Sequence, residues 1–429
     1  MSTPPIQLGL RENRAQFTLL VAVNAFVGAM VGLERSTLPL IGSGDFGLTS
    51  KAAVLSFIAA FGSAKAFTNL GAGAYATRIG RRRLLIAGWT LALPVPLLIA
   101  IAPNWGWIVA ANALLGINQG LAWSMTVVMK IDLVGPKRRG FALGLNEAAG
   151  YGGVALAAAA SGWLASEFAA RGVLVVAAAI IAVVALVVCV VFVRDTAAQV
   201  ALEQSTHASG DTAVAPRMRE AFPQTTWRAP TLRSASQAGL VNNLNDALAW
   251  GLVPLFLAAH GAGPGQIGLV AGLYPAVWGI GQIWTGHWSD RIGRKQLIVA
   301  GMLLQAAALA ALALSAGAVS AAAAAAVALG AGTALVYPTL IAAISDAVSP
   351  VARAATVGVY RFWRDMGYVA GALIAGIFAD ALGFGGAIAV VAALTAMSGL
   401  WVLLDMPAHR APAPATAANP PGTPAHTAA

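Results

Sequence analysis

Long apolar segments constrain the fold of this chain more than any other feature of its sequence. A helix of about 20 mainly apolar residues spans the hydrocarbon core of a bilayer. Twelve such segments follow one another, at residues 16–40, 50–75, 84–103, 107–131, 140–166, 172–193, 235–259, 265–288, 296–316, 320–346, 354–380 and 384–405. The pattern predicts an all-α integral membrane protein with twelve transmembrane helices.

Composition supports this class and excludes others. Only 10% of the 429 residues are charged and 59% are hydrophobic, whereas a soluble domain carries about 25% charged residues. The net charge of +10 would suggest nucleic acid as a partner for a soluble protein. Here the basic residues form no patch on a foldable soluble domain, so we expect no nucleic-acid partner.

The positions of Lys and Arg predict the orientation of the chain. Basic residues cluster in alternate loops, at 78–83, 137–139 and 291–295, while the intervening loops hold only Lys51 and Arg171. Because basic loops stay in the cytoplasm, both termini are expected there. We expect a six-helix bundle over 1–193, a cytoplasmic linker over 194–234, a second bundle over 235–406 and a disordered tail over 407–429, which is rich in Ala, Pro and Thr.

The two halves carry an internal repeat. The stretch GAYATRIGRRRLLIAG at 73–88 matches GHWSDRIGRKQLIVAG at 286–301, an offset of 213 residues. Further along, DLVGPKRR at 132–139 matches DAVSPVAR at 346–353, an offset of 214 residues. Two distant matches at nearly one offset indicate a duplicated six-helix unit, which is the construction of transporters whose halves rock about a central site.

The repeated loop resembles the signature of the major facilitator superfamily, G-x-x-x-[DT]-R-x-G-R-[RK]. The resemblance implies two pseudo-symmetric six-helix bundles around a central cavity, lined by helices 1, 4, 7 and 10 and flanked by helices 2, 5, 8 and 11. It also implies that the two loops are gates that latch the cytoplasmic side. The gating residues it implies are Gly73, Arg78, Gly80, Arg81, Asp290, Arg291, Gly293 and Arg294.

Three departures from the family patterns qualify this resemblance. Thr77 stands where the family has Asp, which predicts a weaker or differently paired latch in the first half. Helix 4 of proton-coupled drug exporters has an Arg three residues before its Gln-Gly pair, and this chain has Gly116 before Gln119. Ala148 and Ala149 replace the Gly-Pro of helix 5. The last two departures argue against a drug/proton antiporter.

Charged residues inside the apolar segments are the main functional evidence. Arg361, Arg364 and Asp365 share one helix face and lie roughly 12–18 Å along the helix from Arg353. A charge at that depth is costly and is normally paired or faces a wet cavity. The group is therefore either a substrate-binding or coupling site or a structural network, with Arg361 and Asp365 able to pair within the helix.

Other buried polar residues extend the candidate site. The repeat maps Glu147 onto Arg361, so the two are expected to face each other across the cavity, with Glu147 as a proton carrier or a partner for arginine. Asp246 would bind a cation or a proton, or pair with Lys65. Glu34 and Arg35 form either an outer gate or a headgroup anchor. The remaining candidates are Asn118 and Asn243.

Several functional classes leave no mark in the sequence. It has no nucleotide-binding loop, its five histidines are scattered and no set of catalytic residues lies at one depth in the membrane. We therefore expect no enzyme activity, cofactor or metal.

The charges within the apolar segments indicate the kind of solute. The cations Lys65, Arg361 and Arg364 nearly balance the anions Glu147, Asp246 and Asp365, which suits a small polar or anionic solute. We predict a monomeric, proton-coupled exporter of a bacterial cytoplasmic membrane. Uptake by proton symport or facilitated diffusion, and a non-transporting sensor, are the alternatives.

Overall fold

The computed structural model describes residues 6–135, 139–207 and 218–407, and every regular element in these ranges is helical. The first part of the chain forms α1 (Arg14–Gly44), α2 (Lys51–Ile79), α3 (Arg81–Ala92), α4 (Pro94–Ile101), α5 (Trp105–Val134), α6 (Arg139–Glu167) and α7 (Ala170–Val191). The second part forms α8 (Ala197–His207), α9 (Met218–Pro223), π1 (Gln224–Arg228), α10 (Pro230–Ala247), π2 (Leu248–Leu252), α11 (Val253–Ala259), α12 (Pro264–Ile292), α13 (Arg294–Ala313), α14 (Val319–Ala347) and α15 (Pro350–Asp405).

Nine helices in the described ranges are long and apolar enough to cross a membrane, against the twelve predicted segments. The difference has local causes. Gly383, with φ of 74°, interrupts α15 at the boundary between the last two predicted segments. The predicted segment 107–131 lies in α5, where Asn112, Asn118 and Gln119 lower its apolar character. The predicted segment 235–259 is divided among α10, π2 and α11. The count of twelve stays a prediction.

The stretch between the two halves contains more helix than expected. We predicted a linker over 194–234, and the structure places α8, α9 and π1 there. Helix α10 begins at Pro230 rather than at residue 235, because proline suits the first position of a helix, where its missing N–H is not needed. The tail beyond Pro407 lies outside the described residues, and the division into domains remains a prediction.

Helix α7 shows the face expected of a lipid-exposed helix. Its buried stripe is small, with Ala182 and Cys189 fully enclosed. Its opposite face exposes large apolar side chains, among them Val176, Ile180 and Val187. In water such a face would be an exposed apolar patch, whereas in a bilayer it contacts hydrocarbon. The packing thus agrees with a multi-pass membrane protein.

The two halves meet along two helix pairs, α2 with α15 and α6 with α12. We call the end of the bundle that holds Gly80 and Gly293 the motif end, and the opposite end, where α2 begins, the far end. Near the far end the backbones of α6 and α12 approach so closely that a Cβ on Gly162 would lie 2.5 Å from the Cα of Gly268. Only glycine permits this contact.

A carboxylate joins the halves at the far end. Asp380 of α15 accepts hydrogen bonds from the Ser50 hydroxyl at 2.7 Å, from the Lys51 backbone N–H at 2.7 Å and from the Ala52 backbone N–H at 3.2 Å. It therefore caps the N-terminus of α2, whose first N–H groups have no partners within their own helix. Asp380 was not among the residues predicted from the sequence.

Candidate functional site

A small cavity lies between the two halves, midway along the bundle. It has a volume of about 20 Å³, room for about one water molecule. Helices α2, α5 and α6 from one half, and α14 and α15 from the other, contribute its walls. The lining residues are Lys65, Asn69, Trp123, Ser124, Tyr151, Tyr337, Arg361 and Arg364. Three of the predicted site residues therefore converge on one place.

Arg364 is the best-enclosed cation of this cavity. Its Nε donates to the Asn243 Oδ1 at 3.1 Å, and its Nη2 donates to the Tyr151 hydroxyl at 2.9 Å. Its guanidinium carbon lies 4.2 Å from the centroid of the Tyr337 ring. All three contacts are neutral, and within the described ranges no carboxylate forms an ion pair with it. An arginine stays charged in such a place, so its charge is not cancelled by a direct partner.

Asp365 contacts two residues of α2 and does not itself line the cavity. Its Oδ1 lies 3.8 Å from the Lys65 Nζ, and its Oδ2 accepts from the Asn69 amide at 2.6 Å. Pairing of Lys65 with Asp246 and pairing of Asp365 with Arg361 were alternatives left open by the sequence, and the described residues show neither pair. The reason is the rotation of α15, which aims Asp365 at α2 while Arg361, one turn away, lines the cavity.

Asp246 lies in the second half, completely buried. It accepts a hydrogen bond from the Tyr274 hydroxyl, which also lies 3.1 Å from the Thr333 hydroxyl. A weaker contact comes from the Tyr368 hydroxyl at 3.4 Å. Among the described residues no cation pairs with this carboxyl group, so Asp246 is held by two phenols instead.

Glu147 has neutral partners as well. Its Oε1 accepts from the Trp123 Nε1 at 3.0 Å and from the Asn146 amide at 3.1 Å. Its Oε2 accepts from the Tyr337 hydroxyl at 3.2 Å, a contact between the two halves. We expected Glu147 to face Arg361. The residue does reach the other half, but in the described part of the chain its partner there is the tyrosine.

The two predicted amide residues, Asn243 and Asn118, make different kinds of contact. Asn243 binds Arg364, as described above. Asn118 instead donates to the Gly88 carbonyl at 3.0 Å, a contact between α5 and α3 that leaves it outside the cavity. The sequence analysis missed Asn69, Tyr151, Tyr274 and Tyr368. A tyrosine in the middle of an apolar segment was the available signal, because this residue type normally lies at the membrane surfaces.

The two repeated loops have nearly identical geometry. Gly80 and Gly293 have φ of 99° and 107°, values that favour glycine, and each ends one helix and starts the next. The Arg81 Nε lies 3.4 Å from the Asp132 Oδ2. The equivalent atoms of Arg294 and Asp346 lie 3.1 Å apart. Each ion pair therefore stays within its own half and fixes a loop to the end of a neighbouring helix.

Four further gating residues were predicted, and the structure describes the side chains of two of them. The side chains of Arg78 and Arg291 are exposed at the motif end. Gly73 and Asp290 lie in α2 and α12, but they fall outside the residues whose side chains are described, as does Thr77. The predicted roles of all these residues stay predictions.

Comparison with known proteins gives a family match over most of the chain. The family model described as Major Facilitator Superfamily matches residues 17–233 and 236–427. The inner membrane transport protein YnfM of Escherichia coli (strain K12) is 25% identical over 163 residues, which cover 38% of this chain and 39% of that protein. The uncharacterized MFS-type transporter YddS of Bacillus subtilis (strain 168) is 29% identical over 127 residues, 29% of each chain. The matched stretches thus span less than half of either relative.

Proposed function

Because the chain belongs to the major facilitator superfamily, we propose that it carries a small anionic solute across a bacterial cytoplasmic membrane by alternating access. Family membership makes it a multi-pass membrane transporter rather than an enzyme. A transporter of this type binds a small-molecule substrate and lies in a lipid bilayer. The nature of the solute, the direction of transport and the coupling are the parts that we propose here.

The charge of the central cavity carries the proposal. Arg361 and Arg364 both line it, and in the described ranges neither forms an ion pair with a carboxylate. Lys65 has a carboxylate partner, but at 3.8 Å. An arginine presents several N–H donors in a planar fork that matches a carboxylate. Neutral partners therefore hold Arg364 in place while leaving its charge available to an anionic solute.

The contacts between the halves support a state that is closed at the far end. At the far end, Gly162 packs against Gly268 and Asp380 caps α2, both across the halves. At the motif end, both arginine–aspartate pairs stay within one half. The positive-inside pattern supports a cytoplasmic position for the motif end. We infer twelve spans in two halves, cytoplasmic termini and function as a monomer.

Glu147 is our candidate for proton coupling. Its neutral partners Trp123 and Tyr337 both line the cavity, so a proton that enters the cavity is close to the carboxyl group. We propose that Glu147 carries a proton inward while the anion moves outward, so that export of the anion is coupled to proton entry. Coupled uptake through the same residue is the second candidate.

A binding experiment tests the anion site. Purified wild-type protein, Arg361→Met and Arg364→Met would be screened for thermal stabilisation by small carboxylates, phosphate and matched cations. Arg353→Met is the control, since this exposed arginine is at the start of the same helix. We expect anions to raise the melting temperature of the wild type and the control, because a ligand stabilises the folded state that binds it. Equal stabilisation of all four proteins, or stabilisation by cations alone, would contradict the proposal.

A further inference from the structure

Arg35 is a buried cation that the central cavity does not include. It lies in α1 with its side chain fully enclosed, and Nε, Nη1 and Nη2 all lack hydrogen-bond partners among the described residues. A guanidinium group carries five N–H donors and does not lose its proton. Leaving a buried donor unpaired is costly, and more so for a charged group. Such a group is expected to find an acceptor at some stage of the transport cycle.

Aromatic rings surround this guanidinium. Its central carbon lies 4.6 Å from the centroid of Phe61, 5.4 Å from Phe57 and 5.7 Å from Trp250. Cation–π attraction to these ring faces explains how the charge is tolerated. The attraction uses the face of the guanidinium and leaves the N–H donors at its edge unused.

Glu34, the neighbouring residue, does not neutralise Arg35. Its Oε2 is also buried without a partner, and no ion pair joins the two side chains within the described part of the chain. Adjacent residues of a helix point about 100° apart, which separates the two groups. The alternative of a headgroup anchor does not fit either, because Glu34 is 2% and Arg35 is 0% exposed.

The aromatic box around Arg35 is built across the two halves. Phe57 and Phe61 belong to α2, while Trp250 belongs to π2 in the second half. Trp250 stacks on Tyr368, with ring centroids 6.0 Å apart and planes at 17°, and Tyr368 in turn contacts Asp246. Phe61 also contacts Tyr368, with ring centroids 5.6 Å apart. The box therefore lies next to Asp246 and is connected to it through Tyr368.

A break in the helix occurs at the wall of this box. Trp250 lies in π2, a single turn of π-helix between α10 and α11, and such turns often occur at functional sites. When the halves rock apart at the far end, π2 separates from α2. This motion would uncover the unpaired edge of Arg35 on the side of the bundle that is now closed.

We propose that Arg35 is a second binding station, which takes a small organic carboxylate on the far side while the far end is open. This proposal rests on the proposed transport of an anion. It adds Arg35 as a second binding residue and assigns that residue to the far side of the membrane. The carboxylate pairs with the N–H edge of Arg35, and the rings of Phe57, Phe61 and Trp250 contact the apolar part of the solute. When the far end closes, the solute moves past Trp250 to Arg364.

Chemical modification tests this proposal without a transport assay. Phenylglyoxal reacts with guanidinium groups that solvent can reach, and mass spectrometry of the peptide containing Arg35 measures the extent. The protein would be the full chain, as wild type and with Asp380→Ala or Gly162→Leu to open the far end. Benzoate is the carboxylate probe, and benzamide is its neutral control of the same shape.

We expect slow modification of Arg35 in the wild type and fast modification in the two opened variants. Benzoate at roughly four times its dissociation constant should slow modification about fivefold, and benzamide should not. Absence of modification in both opened variants would overturn the proposal, and so would equal rates with benzoate and benzamide. The proposed function itself is tested separately, by the thermal stabilisation of the Arg361 and Arg364 variants. If anions stabilised these variants as much as the wild type, the proposed function would be wrong.

Discussion

The carboxylate of Asp380 is predicted to stabilise the closed far end. It accepts three hydrogen bonds from Ser50, Lys51 and Ala52 at the start of α2, and α2 and α15 belong to different halves. These bonds exist only while the far end is closed. Replacing Asp380 with alanine therefore raises the free energy of the closed form and leaves that of the open form almost unchanged.

The size of the effect follows from the type of contact. Loss of a side chain that caps a helix N-terminus costs about 0.5–2 kcal/mol, and solvent reaches Asp380, which keeps the value in this range. With about 1.4 kcal/mol per factor of ten, a cost of about 0.5–2 kcal/mol raises the ratio of open to closed form roughly 2- to 30-fold. Asp380→Asn keeps one oxygen acceptor and should give a smaller shift.

Double electron–electron resonance measures this ratio. Spin labels at Ser43→Cys and Leu314→Cys mark the far ends of the two halves, and both positions are outside the buried core. The buried native cysteine would be replaced by Cys189→Ala. We expect Asp380→Ala to enlarge the long-distance population. Glu167→Ala is the control, because it removes another exposed carboxylate at the same end. An unchanged distance distribution for Asp380→Ala would refute the reasoning.

Three further predictions concern the interface, the coupling residue and the motif loops. Gly162→Ala puts a Cβ 2.5 Å from the Gly268 Cα and should open the far end in the same resonance measurement, whereas Gly152→Ala, with no atom within 4 Å of the new Cβ, should not. Glu147→Gln should abolish proton movement with the solute but keep solute exchange, as measured with a pH dye in proteoliposomes; proton flux at the wild-type rate would contradict it. Arg294→Gln removes a partly exposed ion pair with Asp346 and a hydrogen bond to the Ser289 hydroxyl. It should lower the stability by at most about 2 kcal/mol, as measured by thermal unfolding, and a larger loss would contradict this prediction.

The repeat matched residues that make the same contact in both halves, although the contact itself was not predicted from the sequence. The motif arginines Arg81 and Arg294 and the stretches that begin at Asp132 and Asp346 matched at nearly one offset. The structure joins each arginine to the aspartate of its own half. Apolar length likewise predicted most of the helices, since crossing a bilayer sets a minimum length.

The partners of the buried charges could not be predicted in the same way. The carboxylate that contacts Lys65 is determined by the rotation of α2 and α15 about their own axes. The spacing of residues along one helix does not give this rotation. Asn118 is a second example. Its position in the sequence indicates its depth in the membrane, but not whether its side chain faces the cavity or a neighbouring helix. The break at π2 was also not predicted, since apolar residues continue through it.

The central claim is that the cavity between the halves binds an anion through Arg361 and Arg364, which form no ion pair with a carboxylate among the described residues, and that it opens to either side. The most direct test measures flux, into proteoliposomes, of the anion that best stabilises the wild-type protein. The comparison is wild type against Arg364→Met, with Arg353→Met as the matched control. The account predicts saturable flux for the wild type and the control, and a loss of at least tenfold for Arg364→Met. Equal flux in all three proteins would contradict it.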